Sequence, residues 1–324
     1  MIMDTYNRID LTDFQAKVSQ IREAIAGVIV GQEMAVDLIL TAMIADGHVL
    51  VEGVPGVAKT LLAKLMAKLV NADFKRIQFT PDLMPSDVLG TNVFNVKSQE
   101  FEFHPGPVFS QIILVDEINR APAKTQSALF EVMEERQCTV DGVTRAMSPL
   151  YLVLATQNPV EQEGTYRLPE AQLDRFMMKV NMGYPAYNEE IEILRRHHEN
   201  ANLVKLENIT PLLSVENVLQ MREMLKSVVV DPSLLQYIAQ ITQQTRVSQA
   251  IQLGASPRAS ICILQCAKAY ALLQGRDFVT PDDIKTIVPA VLDHRLILTA
   301  DAEMQGFNVK KLTQLLLDKI EVPK

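Results

Sequence analysis

The sequence predicts an α/β fold with a parallel sheet, followed by an all-helical domain. Short apolar runs bounded by turns alternate with helical segments as far as residue 182, the pattern of a sheet covered on both faces. Beyond residue 188 the pattern is helical nearly throughout. A glycine-containing loop, "GVPGVAKT" at 53–60, lies between an apolar run and a helix. The change of character falls near Gly183–Pro185 and divides the chain into 1–184 and 185–324.

Taken in order, residues 12–46 read as two helices, the first capped by Thr12 or Asp13. "HVLVE" is the first strand, with a helix from Thr60 behind it. "KRIQF", "IILVDE", "LYLVLAT" and "FMMKVNM" are further strands. "TQSALFEVMEE" and the short "PEAQLDR" lie between them as helix and turn. Two stretches break the alternation. "TNVFNVKSQEFEFH" has period-2 patches around a polar turn, and "RQCTVDGVTRAM" centres on Asp141–Gly142, a strong hairpin signal. Both are expected to be β-hairpins standing outside the core. In the second part, Thr280–Pro281 combines a capping hydroxyl with proline in the first turn of a helix.

The 324 residues suffice for two domains and a large core. A hydrophobic fraction of 48% with 22% charged residues is ordinary for a globular protein. The net charge of −8 argues against general nucleic-acid binding. No apolar run approaches the ~18 residues that span a bilayer. The start, "MIMDTYNRID", carries charge where a signal peptide needs an apolar stretch. Three cysteines fit a reducing compartment, so a cytoplasmic location is expected.

The loop at 53–60 nearly matches the phosphate-binding pattern G-x-x-x-x-G-K-[ST], with Ala58 at the second glycine position. A loop between a strand and a helix N-terminus offers backbone N–H groups to anionic oxygens. Gly53 and Gly56 let the chain bend, Lys59 would reach the β- and γ-phosphates, and Thr60 would ligate Mg2+. A positive φ at Ala58 costs about 1–2 kcal/mol for its Cβ, yet alanine keeps the N–H donor. The alternative is a plain strand-to-helix turn. "IILVDEINR" then puts Asp116 and Glu117 at the carboxyl end of a buried strand, where ligands bind parallel sheets. Asp116 would hold Mg2+ directly or through water, and Glu117 would activate a water. Asn158, ending "LVLATQN", would orient that water or touch the γ-phosphate; alternatively, Asn158–Pro159 is a turn.

Together with "IVGQ", "LATQNP", "LPEAQLDRF" and "GASPRA", these motifs make the chain similar to AAA+ ATPases of the MoxR family over nearly its whole length. The alanine before Lys59 resembles that family's usual loop. The resemblance implies an AAA+ P-loop core with two β-hairpin insertions and a helical lid. Residues 53–61 (Gly53, Val54, Pro55, Gly56, Val57, Ala58, Lys59, Thr60 and Leu61) would contact ATP, and Val30, Gly31 and Gln32 would lie near the adenine. "LPEAQLDRF" resembles the segment carrying an arginine finger, so Arg175 would reach the γ-phosphate held by a neighbouring subunit. An ion pair within the chain, with Asp174 or another carboxylate, is the alternative for that side chain. "GASPRAS" resembles the sensor-2 motif, so Arg258 would touch the phosphates from the lid; an ordinary surface arginine in a first helical turn is the alternative. Asn119 and Arg120 would lie at a subunit interface.

The same resemblance implies a ring, usually hexameric, that hydrolyses ATP with Mg2+. A von Willebrand factor A-domain protein would be its partner. Its role would be chaperone-like, in maturing complexes or inserting metal cofactors. A nucleic-acid-directed motor and a non-hydrolysing ATP-gated scaffold are the competing classes. The acidic charge weighs against the first, and intact Lys59, Asp116, Glu117 and Arg175 against the second. Cys262 and Cys266 are read as core packing, and His197–His198 as solvated.

Overall fold

The computed structural model describes residues 10–158, 166, 168–199 and 206–323. The segment 1–9, read above for a leader, and Pro159 lie outside the described residues.

In chain order, α1 (Thr12–Ala26) and α2 (Glu33–Ile44) precede β1 (Val49–Gly53), α3 (Lys59–Leu69) and β2 (Phe74–Gln78). Next come α4 (Pro85–Leu89) and the hairpin β3 (Gly90–Asn95) with β4 (Glu100–Pro105). Then follow β5 (Ile112–Asp116), α5 (Ala123–Glu135) and the hairpin β6 (Gln137–Val140) with β7 (Val143–Ala146). The core closes with β8 (Leu152–Gln157), α6 (Glu170–Leu173) and β9 (Met178–Met182). Beyond it lie α7 (Tyr187–His198), α8 (Val215–Met224), α9 (Pro232–Val247) and β10 (Ile251–Leu253). The chain continues through α10 (Pro257–Leu273), α11 (Pro281–Leu292), β11 (Ile297–Leu298), α12 (Ala300–Met304) and α13 (Val309–Lys319).

Among the described residues, five strands form a parallel sheet in the order β2-β5-β8-β1-β9. Its faces separate by the period of 2. Ile112, Leu114, Leu152 and Leu154 enter one apolar cluster, while Ile113, Val115, Val153 and Ala155 enter the other. The expected covered sheet is therefore present. Helix α2 shows no polar face in "LILTAMI" because it is packed on two sides, against β9 and against α10 of the helical region. One apolar cluster runs without a break from the sheet through α2 into α10, α11 and α13.

Both hairpins form where the turn chemistry places them, with Asp141 and Gly142 each at positive φ. They also touch: Asn92 Nδ2 donates to Asp141 Oδ2 at 2.6 Å, and the Arg145 guanidinium lies 3.7 Å from the centre of the Phe103 ring.

Two local expectations change. Neither Thr12 nor Asp13 caps α1; both already lie inside its first turn. Asp10 Oδ1 instead accepts from the Thr12 N–H at 3.0 Å, and Asp13 pairs with Lys17 one turn on. The C-terminal region is mostly helical, but β10 and β11 form an antiparallel pair. Strands of three and two residues are too short to leave a periodicity. Thr280 does cap α11, accepting from Asp283 N while the Asp283 carboxylate accepts from Thr280 N. Cys262 and Cys266 are buried, and His197 and His198 are exposed.

Candidate functional site

The loop between β1 and α3 lies at the carboxyl edge of the sheet. Gly53 is required by close approach: a Cβ there would lie 2.5 Å from the Met182 carbonyl oxygen on β9. Gly56, at φ +89°, has open space around it, whereas Val57 is buried and pins the loop to the core. Ala58 adopts φ +65° and ψ +22°, left-handed geometry immediately ahead of α3. The Lys59 ammonium spans the loop and donates to Gly53 O at 2.6 Å. Burial beneath the loop lowers its pKa, and Asp116, Glu117 and Glu52 push back. Thr60 and Leu61 follow in the first turn of α3, both half-buried.

Asp116 ends β5, two strands away from β1, and Glu117 follows it directly. Asp116 is 7% exposed; its Oδ1 accepts from the Thr156 hydroxyl at 3.0 Å and its Oδ2 from Arg76 Nε at 2.5 Å. Thr156 Oγ1 in turn accepts from the Glu117 N–H at 3.0 Å. Glu117 has φ +57°, a conformation that costs a non-glycine residue about 1 kcal/mol or more. Its carboxylate accepts from Gln78 Nε2 at 2.8 Å and pairs with Arg120 Nε at 3.1 Å. Strand end, hydroxyl and amide thus hold a strained carboxylate over the edge of the sheet. Asn158 follows β8 at this same edge, two residues beyond Thr156. Asn119 is buried just after Glu117.

Gln32 Nε2 donates to Gly183 O at 3.1 Å, next to the Met182 carbonyl that abuts Gly53. Residues 182–183 therefore join the segment Val30–Gly31–Gln32 to the phosphate loop.

Arg175 and Arg258 are not brought to this edge. Arg175 precedes β9, and its guanidinium lies 6.0 Å from the centre of the Phe130 ring. Asp174 does not pair with it: its Oδ1 accepts from Arg295 Nε at 2.6 Å. Arg258, in the first turn of α10, forms a two-pronged pair with Glu134 at 3.0 and 2.8 Å. Both arginines line one pocket, of about 220 Å³, beside His48, Glu134 and Arg136 at the amino edge of β1. The five residues of β1 separate the two edges by about 17 Å at ~3.3 Å per residue. Within one chain Arg258 therefore faces the edge opposite the phosphate loop. The helical region packs on α2 and β9, which carries α10 to the amino side of the sheet.

Sequence reading missed Arg76, Gln78 and Thr156. Arg76 and Gln78 alternate on β2 in register with Leu114 and Asp116, so a polar period-2 pair beside the strand that carries Asp116 was the available signal. It also missed Arg295, whose side chain is only 2% exposed and which donates to Asp174, Phe176, Met177 and Val291. No local pattern marks it.

The donor set fits a nucleotide with its metal. Among the described residues no group of three or more His, Cys, Asp or Glu could hold an ion unaided. Mg2+ ordinarily takes one or two carboxylates together with phosphate oxygens and water, so this edge suits an ion that arrives with a triphosphate.

The ATPase family associated with various cellular activities (AAA) matches residues 48–178, and the AAA lid domain matches 243–315. The uncharacterized protein YeaC of Bacillus subtilis is 47% identical over 301 residues, 93% of each chain. Chaperone MoxR1 of Mycobacterium tuberculosis is 43% identical, over 91% of this chain and 80% of that one. A crystal structure from Cytophaga hutchinsonii, of a protein described as an ATPase, superposes with a TM-score of 0.89 at 41% identity, covering 97% of both chains. With the phosphate loop, the two edge carboxylates and these likenesses in place, the chain belongs to the MoxR family of AAA+ ATPases.

Proposed function

We propose that this ATPase hydrolyses ATP with Mg2+ at sites completed between two copies of the chain, and that the cycle remodels a protein client. The observation carrying this is the division of the machinery between opposite edges of one sheet. The loop and both carboxylates occupy one edge, while Arg175 and Arg258 occupy the other. A single chain cannot apply both sets to one phosphate across about 17 Å. Two chains, edge to edge, can.

In this reading the backbone N–H groups of residues 53–60 and the Lys59 ammonium bind the phosphates. Thr60 and Asp116 hold the metal. Both Asp116 oxygens already accept a hydrogen bond, which favours contact through water. Mg2+, when bound, supplies charge neutralisation at the phosphoryl oxygens. Glu117 takes the proton of the attacking water, and Asn158 orients that water. Val30, Gly31 and Gln32 flank the adenine. Arg175 and Arg258 of one copy meet the phosphates held by the next, which makes a ring, with hexamer as the expected size. Asn119 and Arg120 lie close to that junction. The division between core and lid is taken at 184/185, between β9 and α7.

A chaperone-like role is supported by the name of the mycobacterial relative. In this reading the chain's partner is a von Willebrand factor A-domain protein, and the cycle matures a complex or inserts a metal cofactor. Among the described residues no helix is long and apolar enough to cross a membrane. The touching hairpins, with Val93, Phe94, Val96 and Phe101 exposed, are the parts offered to a client.

The test is ATP hydrolysis per subunit as protein concentration rises. A rate that climbs with concentration and is abolished by Arg175→Ala is expected. A flat rate with a wholly monomeric particle overturns the shared site.

A further inference from the structure

Glu134 lies one residue from the C-terminal end of α5, and its part rests on the reading that Arg258 serves a neighbouring copy. Arg258 meets Glu134 end-on, Nη1 to Oε1 at 3.0 Å and Nη2 to Oε2 at 2.8 Å. A guanidinium takes a phosphoryl group with the same fork. While both terminal nitrogens face Glu134, a phosphate cannot approach them in that geometry. The pair is also exchangeable. Its side chains are 44% and 36% exposed, and ion pairs so open to water hold weakly.

The surroundings leave Glu134 a specific part. Arg136 is committed elsewhere, donating to Tyr151 O at 2.6 Å and to the Asp46 carboxylate at 3.0 Å. Arg175 makes no ion pair among the described residues and rests on Phe130. Glu134 is thus the carboxylate that pairs with Arg258 and faces Arg175; Asp174, the other acid near Arg258, is already held by Arg295. Hydrogen bonding from Arg258 holds its carboxyl below the usual range, so it is ionised and repels an incoming anion.

We infer that Glu134 is a positioning residue: it holds Arg258 out of use in the lone chain and yields it to the phosphates of a neighbour's nucleotide. Association between copies then strengthens with bound nucleotide by exchange of one anion for another at the same fork.

Sedimentation velocity with a slowly hydrolysed ATP analogue tests this, comparing wild type, Glu134→Gln, Arg258→Ala and the double variant. Glu134→Gln keeps the shape and removes the charge. The protein concentration for half-association with the analogue should fall about threefold, in line with a half-exposed pair. Without nucleotide it should not move. In the Arg258→Ala background the gain should shrink or vanish. An unchanged or raised midpoint overturns the inference, as does an equal shift without nucleotide or in the Arg258→Ala background. Loss of turnover in fully associated Glu134→Gln also overturns it, by making the carboxylate part of the site. Failure of the wild type to associate with the analogue at any concentration overturns instead the shared-site reading beneath it.

Discussion

The two edges of the central sheet are built by different means. The carboxyl edge is local: eight consecutive residues make the phosphate loop, and Asp116–Glu117 follow directly from β5. The amino edge is assembled across the chain. Arg295 reaches Asp174 over 121 positions and Arg258 reaches Glu134 over 124. Strand, loop and helix dictate the first edge wherever the chain folds; the docking of the helical region completes the second.

That contrast explains what could be read in advance. β1, the loop, β5, β8, β9 and both hairpins follow from apolar period, turn residues and strand-end polarity, all of which act within about ten residues. The type of α10 was equally legible, but periodicity says nothing about which edge a helix is carried to. Which chain's phosphates Arg258 faces is therefore not written in the local sequence. Arg295 was invisible for the same reason: its partners lie in the 174–177 segment, and no spacing connects them.

The largest effect expected from separating the edges is at Arg175. If it acts on a neighbour's nucleotide, Arg175→Ala should lower turnover about 10³-fold or more and leave nucleotide affinity nearly intact. Mixing this variant with an equal amount of Lys59→Ala should restore part of the rate, since each supplies the edge the other lacks. Absence of any recovery in a co-assembled mixture would break the comparison.

Next is the carboxyl edge itself. Glu117→Gln should reduce turnover about 10²- to 10⁴-fold while still binding ATP. Lys59→Ala should fail at binding instead, which equilibrium titration with a fluorescent nucleotide separates from a defect in chemistry. Equal hydrolysis by Glu117→Gln and wild type would remove the carboxylate from its assigned role.

Arg295 tests whether the amino edge depends on the docked lid. Arg295→Met should destabilise the fold by about 3 kcal/mol, the lower end for a broken buried pair, because Asp174 remains 29% exposed. Denaturant unfolding measures the loss. Under conditions where the variant is folded, turnover should still fall, because Asp174 and the adjoining Arg175 lose the group that fixes them. Nucleotide affinity should hold, since the loop is on the other edge.

The smallest effect is at Ala58, where the local edge departs from the general loop pattern. Its Cβ sits at φ +65°, a conformation costing about 1–2 kcal/mol for an L-residue. Ala58→Gly removes that strain but gives the unfolded chain about 0.4–1 kcal/mol of added freedom. The net gain in stability should be about 0.5 kcal/mol, and hydrolysis should not fall, since the backbone N–H at 58 is unchanged. Scanning calorimetry beside a turnover assay separates the two consequences. A stable glycine variant with weaker nucleotide binding would show that the alanine Cβ restricts the loop to its binding shape in advance. The strain at Ala58 would then be part of the carboxyl edge's function, held by the same local chain that forms it.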